Sequence, residues 1–180
     1  MVNQRAIVHA MPEVPTVETP RLRLRPWREE DLDPYAEMCA EPAVMRFIGS
    51  GRTLDREEAW RQMAIFSGHW QLRGYGLWAV ERREDGTFIG RVGLWQPEGW
   101  PGLENGWMLS PAYWGCGYAT EAGAAAEEFA WTRLDATEVI SLIQPENRAS
   151  RGVAERLGMK VERRGHLGPH PVLVYRKLRP

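Results

Sequence analysis

Residues 22–25 read Leu-Arg-Leu-Arg, apolar and charged in strict alternation, the period of a strand with one face buried. Pro26 closes that run, and the apolar spacing lengthens to three and four. Leu32, Tyr35 and Cys39 then share one face of a predicted helix over residues 31–40. Asp55 with Glu58 forms a capping box opening a second helix, whose buried stripe is Ala59, Met63, Phe66 and Trp70. Strand-like runs follow at 76–82 and 88–95, and the Asp85-Gly86 pair between them is a hairpin signal. A loop carrying Pro97, Gly99, Pro101 and Gly102 leads into a further strand at 103–109, ended by Ser110-Pro111. Residues 118–134, rich in Ala and Glu, predict a helix, and the largely apolar run at 139–143 predicts a central strand. Asn147 caps a helix over 148–157 that Gly158 stops, and strands at 160–164 and 172–178 complete the chain. Strand, two helices, three strands, helix, strand, helix, two strands: this order predicts an α/β (α+β) fold, a mixed sheet with helices on its faces.

Length and composition narrow the reading. The 180 residues show no internal repeat and suit one domain, expected over 19–180, behind a flexible tail over 1–18 in which Met11 is an alternative start. A net charge of -1, with arginines scattered along the chain, points away from nucleic-acid and membrane partners. No apolar run is long enough to cross a membrane, and the N-terminus, with Arg5 but no apolar core, does not read as a secretory signal. Cys39 and Cys116 lie far apart without metal-ligand spacing, so the expectation is a cytoplasmic protein with no metal. Tryptophan is abundant: Trp70, Trp78, Trp95, Trp100 and Trp107 are expected to divide between core and pocket, with Trp100 the best candidate for a pocket wall.

The chemistry concentrates where a strand meets a glycine-rich loop and then a helix. In Trp114-Gly115-Cys116-Gly117-Tyr118-Ala119-Thr120 the two glycines let consecutive N–H groups approach a ligand. The helix that follows begins with unpaired N–H groups and a partial positive charge, suited to a pyrophosphate. A tight turn without a ligand reads the same residues equally well. The loop lacks a Walker ending, and its spacing does not fit a dinucleotide fingerprint.

The stretch Ser110-Pro111-Ala112-Tyr113-Trp114-Gly115-Cys116-Gly117-Tyr118-Ala119-Thr120-Glu121-Ala122 resembles the acetyl-CoA loop of the GNAT superfamily of N-acetyltransferases, most of all its ribosomal-protein N-terminal branch. Thr19 to Pro26 with Glu30-Asp31-Leu32, Gly90-Arg91-Val92-Gly93-Leu94, and Asn147-Arg148-Ala149-Ser150 with Leu157-Gly158-Met159 resemble three further motifs of that family in the same order. The resemblance implies a mostly antiparallel sheet of six to seven strands, splayed between the fourth and fifth. It also implies acetyl-CoA as acyl donor, an amine as acceptor, and a monomer or homodimer. On that resemblance Gly115, Cys116, Gly117, Tyr118, Ala119 and Thr120 cradle the pyrophosphate beside Trp114. Leu109, Ser110 and Asn147 bind the pantetheine arm.

The catalytic residues are read less directly. Where many relatives carry a tyrosine that protonates the leaving thiolate, this chain has Ala154, and Ser150, one turn earlier, is the substitute. Ser150 is equally a local helix-start hydroxyl. Glu104 matches the region of a catalytic glutamate in some relatives, or is an exposed strand residue; His69, His166 and His170 are the other candidate bases. Cys116 is not read as a nucleophile, because in the family the amine attacks the thioester directly. Residues 45–51, where the fold meets its acceptor, carry no acidic side chain to clamp a basic substrate. A non-catalytic acyl-CoA-binding sensor or scaffold is the alternative, and a phosphate-binding enzyme of unrelated chemistry is a third reading.

Overall fold

The computed structural model describes residues 13–180. The alternating residues form β2 (Leu22–Arg25), with Leu22 and Leu24 wholly buried, and β1 (Val17–Glu18) pairs antiparallel beside it. Pro15 is tied in as well, its carbonyl accepting from Trp78 Nε1 at 2.8 Å. Val14, Pro15 and Val17, within the span expected as tail, thus contact the domain, while Met11 and residues 1–12 lie outside the described residues.

Helices α1 (Leu32–Ala40), α2 (Pro42–Met45) and α3 (Arg56–Arg73) follow. The short α2 was not foreseen; four residues with Pro42 at its start carry no apolar period to read. The capping box of α3 is as expected: Asp55 Oδ1 accepts from Glu58 N at 2.8 Å, and Glu58 Oε2 accepts from Asp55 N at 3.1 Å. Next come β3 (Leu77–Arg82), β4 (Phe88–Trp95), β5 (Glu104–Leu109), α4 (Tyr118–Arg133), β6 (Glu138–Ile143), α5 (Arg148–Arg156), β7 (Lys160–Leu167) and β8 (His170–Leu178).

The sheet has eight strands in the order β1-β2-β3-β4-β5-β6-β8-β7, slightly more than the six to seven expected. Every neighbouring pair is antiparallel except β5 and β6. One apolar cluster joins Tyr35, Met63 and Phe66 of the first helices to Leu77 and Met108 of the sheet. The other packs Ala122, Ala126 and Phe129 of α4, and Val153 and Leu157 of α5, against Val80, Val92 and Val139. Helices thus cover both faces, which leaves the sheet's interior dry.

A buried charge cluster pins the first helix to the sheet. Arg25 grips Asp31 with two hydrogen bonds of 2.8 and 2.7 Å and reaches Glu81 Oε2 at 2.7 Å; all three residues are buried. Asp31 also accepts from Arg28 N at 2.8 Å, fixing the turn into α1. Burial alone would raise the Glu81 carboxyl, but hydrogen bonds from Arg25 and Arg23 outweigh it and hold the group below the usual glutamate range. A carboxylate depressed on folding stabilises the fold at neutral pH, and that contribution is lost as the pH falls through the folded value. Asp31→Ala leaves the Arg25 guanidinium buried without its bidentate partner and is expected to lose about 3–5 kcal/mol in urea unfolding. Asp33→Ala removes only an exposed pair with Arg56 and should hardly move the midpoint. Equal losses in the two variants would mean that burial is not what gives the cluster its weight.

Candidate active site

The parallel pairing of β5 with β6 stops after Glu104 and Ile140. Ile140 N–H still donates to Leu103 O at 2.9 Å, and a regular ladder would next take Leu142 N–H to the Asn105 carbonyl. Side chains intercept both groups. Leu142 N–H turns to Glu104 Oε1 at 3.3 Å, and Asn105 O accepts from the Ser141 hydroxyl at 2.6 Å. Asn105, buried, donates its own amide to the Gly123 carbonyl of α4 at 2.9 Å. Beyond that point the strands diverge, and the Trp107 indole spans the gap to Ser150 Oγ at 3.2 Å.

A cavity of about 260 Å³ opens at the divergence. Phe47, Ile48 and Gly49 close it from the segment after α2, Phe66 and Gln62 from α3, Trp95 and Arg91 from β4, and Asn147 and Ser150 from α5. Gly106 forms part of its wall, where a Cβ would meet only open space. Glu104 lines it too and is no free surface residue: Trp100 Nε1 donates to Oε2 at 2.7 Å while Leu142 N–H holds Oε1. Removal from water pushes its carboxyl up to about 7, against the opposing pull of those two donors and of Arg91. Trp100, singled out as a pocket wall, serves as one and also orients the carboxyl.

Ser150 and Asn147 act together at the start of α5. Asn147 Oδ1 accepts from Ser150 N at 3.1 Å, the cap read from sequence; its backbone N–H donates to Gln144 O at 2.9 Å, and its side-chain Nδ2 makes no hydrogen bond among the described residues. Because the Ser150 oxygen accepts from Trp107, its hydroxyl proton stays available to the cavity. Ala154, one turn on, is wholly buried in the core.

At the other end of the splay, β5 runs into the glycine loop. Ser110 N–H is committed to Ile89 O at 2.9 Å, and the Leu109 carbonyl accepts from Trp114 Nε1 at 2.7 Å. By the alternation of the ladder, Leu109 N–H faces the splay. Gly115 and Gly117 hold φ of 76° and 80°, which suits glycine. Trp114 N–H and Glu121 N–H find carbonyls, but no N–H from Gly115 through Thr120 meets an acceptor among the described residues. Arg21 secures the loop, donating to Cys116 O at 2.9 Å and to Glu121 at 2.6 Å, while Thr19 donates to Glu121 at 2.6 Å. Arg156 Nε reaches Thr120 Oγ1 at 3.2 Å, and Arg82 and Arg83 share a neighbouring depression with Arg21 and Tyr118. Unpaired N–H groups at a helix start, with Arg21 and Arg156 beside them, fit a pyrophosphate.

The histidines fall away from this chemistry. Buried His69 has both ring nitrogens engaged, Nδ1 with Tyr75 O at 2.8 Å and Nε2 accepting from Gln96 N at 3.3 Å, and it stacks on Trp95. His166 and His170 flank the β7–β8 turn, and only Leu167 of that turn lines the cavity. Cys116 is exposed. Among the described residues no three His, Cys, Asp or Glu side chains group to hold a metal ion, and no helix is long and apolar enough to cross a membrane. The sequence reading overlooked Arg91, Asn105 and Ser141; a lone polar residue within a strand was the available signal.

Comparison with known proteins agrees with this geometry. Residues 21–160 match the family model described as acetyltransferase (GNAT) domain. An acetyltransferase from Agrobacterium tumefaciens is 31% identical, with a TM-score of 0.83 over 93% of this chain and 96% of its own. The FsC-acetyl coenzyme A-N(2)-transacetylase of Aspergillus fumigatus is 30% identical over 161 residues, 81% of this chain and 65% of that protein. A RimL α-N-protein acetyltransferase in complex with coenzyme A is 18% identical and shares the fold, with a TM-score of 0.77 over 91% of this chain and 98% of that one. A matching family model over most of the chain, on a sheet that splays beside an unpaired glycine loop, means that this protein belongs to the GNAT acetyltransferases.

Proposed function

We propose that the protein transfers the acetyl group of acetyl-CoA to a primary amine by direct attack. The observation that carries this reading is the run of unpaired N–H groups from Gly115 to Thr120 opening onto a splay that also holds Glu104 and Ser150. A relative named for acetyl coenzyme A and a structural neighbour holding coenzyme A support the donor. When bound, acetyl-CoA supplies an acetyl group activated as a thioester, which the amine nitrogen attacks as CoA leaves.

The residues divide the work. The loop N–H groups take the pyrophosphate charge, assisted by the positive end of α4. Trp114 holds the loop against β5 through Leu109 O, so recognition by the backbone does not depend on a charged side chain there. Leu109 N–H and the Asn147 amide face the pantetheine arm and the carbonyl oxygen that gains charge during attack. Ser110 shapes the strand end, its N–H being spent on Ile89. Glu104, raised to about 7, is a carboxylate poised to take a proton from an incoming ammonium near neutral pH. Ser150, its oxygen already accepting from Trp107, directs its O–H to the leaving sulfur. Two free cysteines suit the reducing cytoplasm, where we place the enzyme.

A thermal-shift titration tests the donor first. Acetyl-CoA and CoA should raise the melting temperature with dose and ATP should not, followed by thiol release with an amine panel. Absence of any CoA shift sinks the proposal, and a shift without release on any amine or peptide N-terminus favours a binding module.

The pH profile tests Glu104. The carboxylate form is the base, so kcat/KM should fall as the pH drops through about 7. Glu104→Gln should lose that limb and lower kcat about a hundredfold. A limb that persists in the glutamine variant rejects the base.

Ser150→Ala probes the leaving group. It is expected to lower kcat by about tenfold while leaving the KM for acetyl-CoA nearly unchanged, the loss of one hydrogen bond to a developing charge. Unchanged kcat would return Ser150 to a structural role.

A further inference from the structure

Among the described residues, the cavity at the splay is lined by two charged side chains, Glu104 and Arg91. Glu104 is already held at both oxygens by neutral donors, Trp100 Nε1 and Leu142 N–H. Arg91 has no such arrangement. Among the described residues Arg91 forms no ion pair; Tyr35 lies against its side chain, and its Nε is buried without a partner. Its guanidinium carbon lies 5.1 Å from the centre of the Phe66 ring, which meets Trp95 edge-on at 5.6 Å. Arg91 is partly buried and feels Glu104 only at a distance, so its guanidinium has no carboxylate in direct contact and can take one from a molecule that binds there.

The donor does not supply it. The charges of acetyl-CoA reside on its phosphates, and the unpaired N–H groups that suit them lie in the glycine loop, outside the cavity. The missing anion therefore comes with the acceptor.

Register places it. Arg91 stands opposite Met108, and Trp95 opposite Glu104, four residues along the same strand. That spacing is about 13 Å of strand. Gly106 lies between Met108 and Glu104 on β5, leaving the intervening wall open.

We infer that Arg91 determines acceptor specificity, selecting an amine that also carries a carboxylate. The amine sits toward Glu104, the carboxylate is forked by the Arg91 guanidinium, and an apolar body between them packs on Phe66 and Trp95. The inference deepens the acetyltransferase reading and rests on it for the amine. A polyamine would bring further positive charge to Arg91, and the rim at Phe47 to Gly49 offers no carboxylate in return. Arginine rather than lysine matters here, because a planar fork matches a carboxylate with two parallel hydrogen bonds.

The test begins with a ligand that has no amine, so that it does not depend on acetyl transfer. Binding of 3-phenylpropionate and of 3-phenylpropionamide is followed by quenching of tryptophan fluorescence, since Trp95, Trp100 and Trp107 line the cavity. The carboxylate should bind at least about tenfold more tightly than the amide. Arg91→Met should abolish that preference and Arg91→Lys should keep part of it. Equal binding of the two probes, no carboxylate binding at millimolar concentration, or a preference that survives in Arg91→Met would each overturn the assignment. Thiol release then compares phenylalanine and ω-amino acids with the same amines lacking the carboxylate. Arg91→Met should lower kcat/KM for the acids by about tenfold or more relative to the plain amines, chiefly through KM. A uniform loss across both sets marks Arg91 as structural and overturns the inference. If every amine is inert, the acetyltransferase reading fails and the probe measurement still decides the guanidinium.

Discussion

The site depends on a parallel ladder that is begun and not continued. Hydrogen-bonded strands offer a ligand nothing, because each N–H and C=O is already paired. Here the interruption is made by side chains on the strands themselves. Glu104 takes the Leu142 N–H and Ser141 takes the Asn105 carbonyl, so both groups stay satisfied without the strands remaining adjacent. The divergence can then persist with the backbone groups at its apex paired, although Asn105 Oδ1 finds no partner among the described residues. Farther along, the Trp107 indole reaches Ser150, and past it the N–H of Leu109 is left facing the gap. A cleft that water or ligand must fill is therefore built into the sheet rather than added by a loop.

The glycine loop applies the same principle at the other end of β5. A helix start leaves N–H groups over, and the turn at Gly115 and Gly117 adds more to them. What keeps such a loop from collapsing onto itself is the framework behind it: Arg21 and Thr19 converge on Glu121, and Trp114 is bonded to the Leu109 carbonyl. The Arg25–Asp31–Glu81 cluster does comparable work for the first helix, so that the wall of the cavity formed by α3 and the segment after α2 stands on a fixed base. The unpaired N–H groups of the loop are thus held in place by side chains that are themselves bonded.

Much of this was legible in the chain before any coordinates. Strands β2 and β4, the Asp55 and Asn147 caps and the long α4 each follow from period or cap chemistry acting over a few residues, and they stand where the pattern put them. The glycine loop was legible for the same reason. The fine structure of the cavity was not, because it arises between residues far apart in sequence. His69 looked like a base until Tyr75 and Gln96 were seen to occupy its nitrogens. Glu104 had two readings that only burial and its two donors separate. Arg91 sat inside a quoted motif and drew no attention, since a charge within a strand ordinarily points to solvent. Its buried, unpartnered Nε becomes visible only once Phe66 is folded against it.

The alternation of β5 lets one six-residue strand present different side chains to the two sides of the sheet. Glu104, Gly106 and Met108 project toward the first three helices, where the cavity and the Met108 cluster lie. Asn105, Trp107 and Leu109 project the other way, to Gly123, Ser150 and the α4 core. A strand side chain changes face at every residue, so a slip of one position would exchange the two sets completely. Glu104 would then lose Trp100 and Leu142, and Trp107 would lose Ser150. The antiparallel register with β4, running without interruption from Gly90 opposite Leu109 to Trp95 opposite Glu104, is what prevents the slip. The secure pairing on one edge of β5 thus permits the open edge on the other.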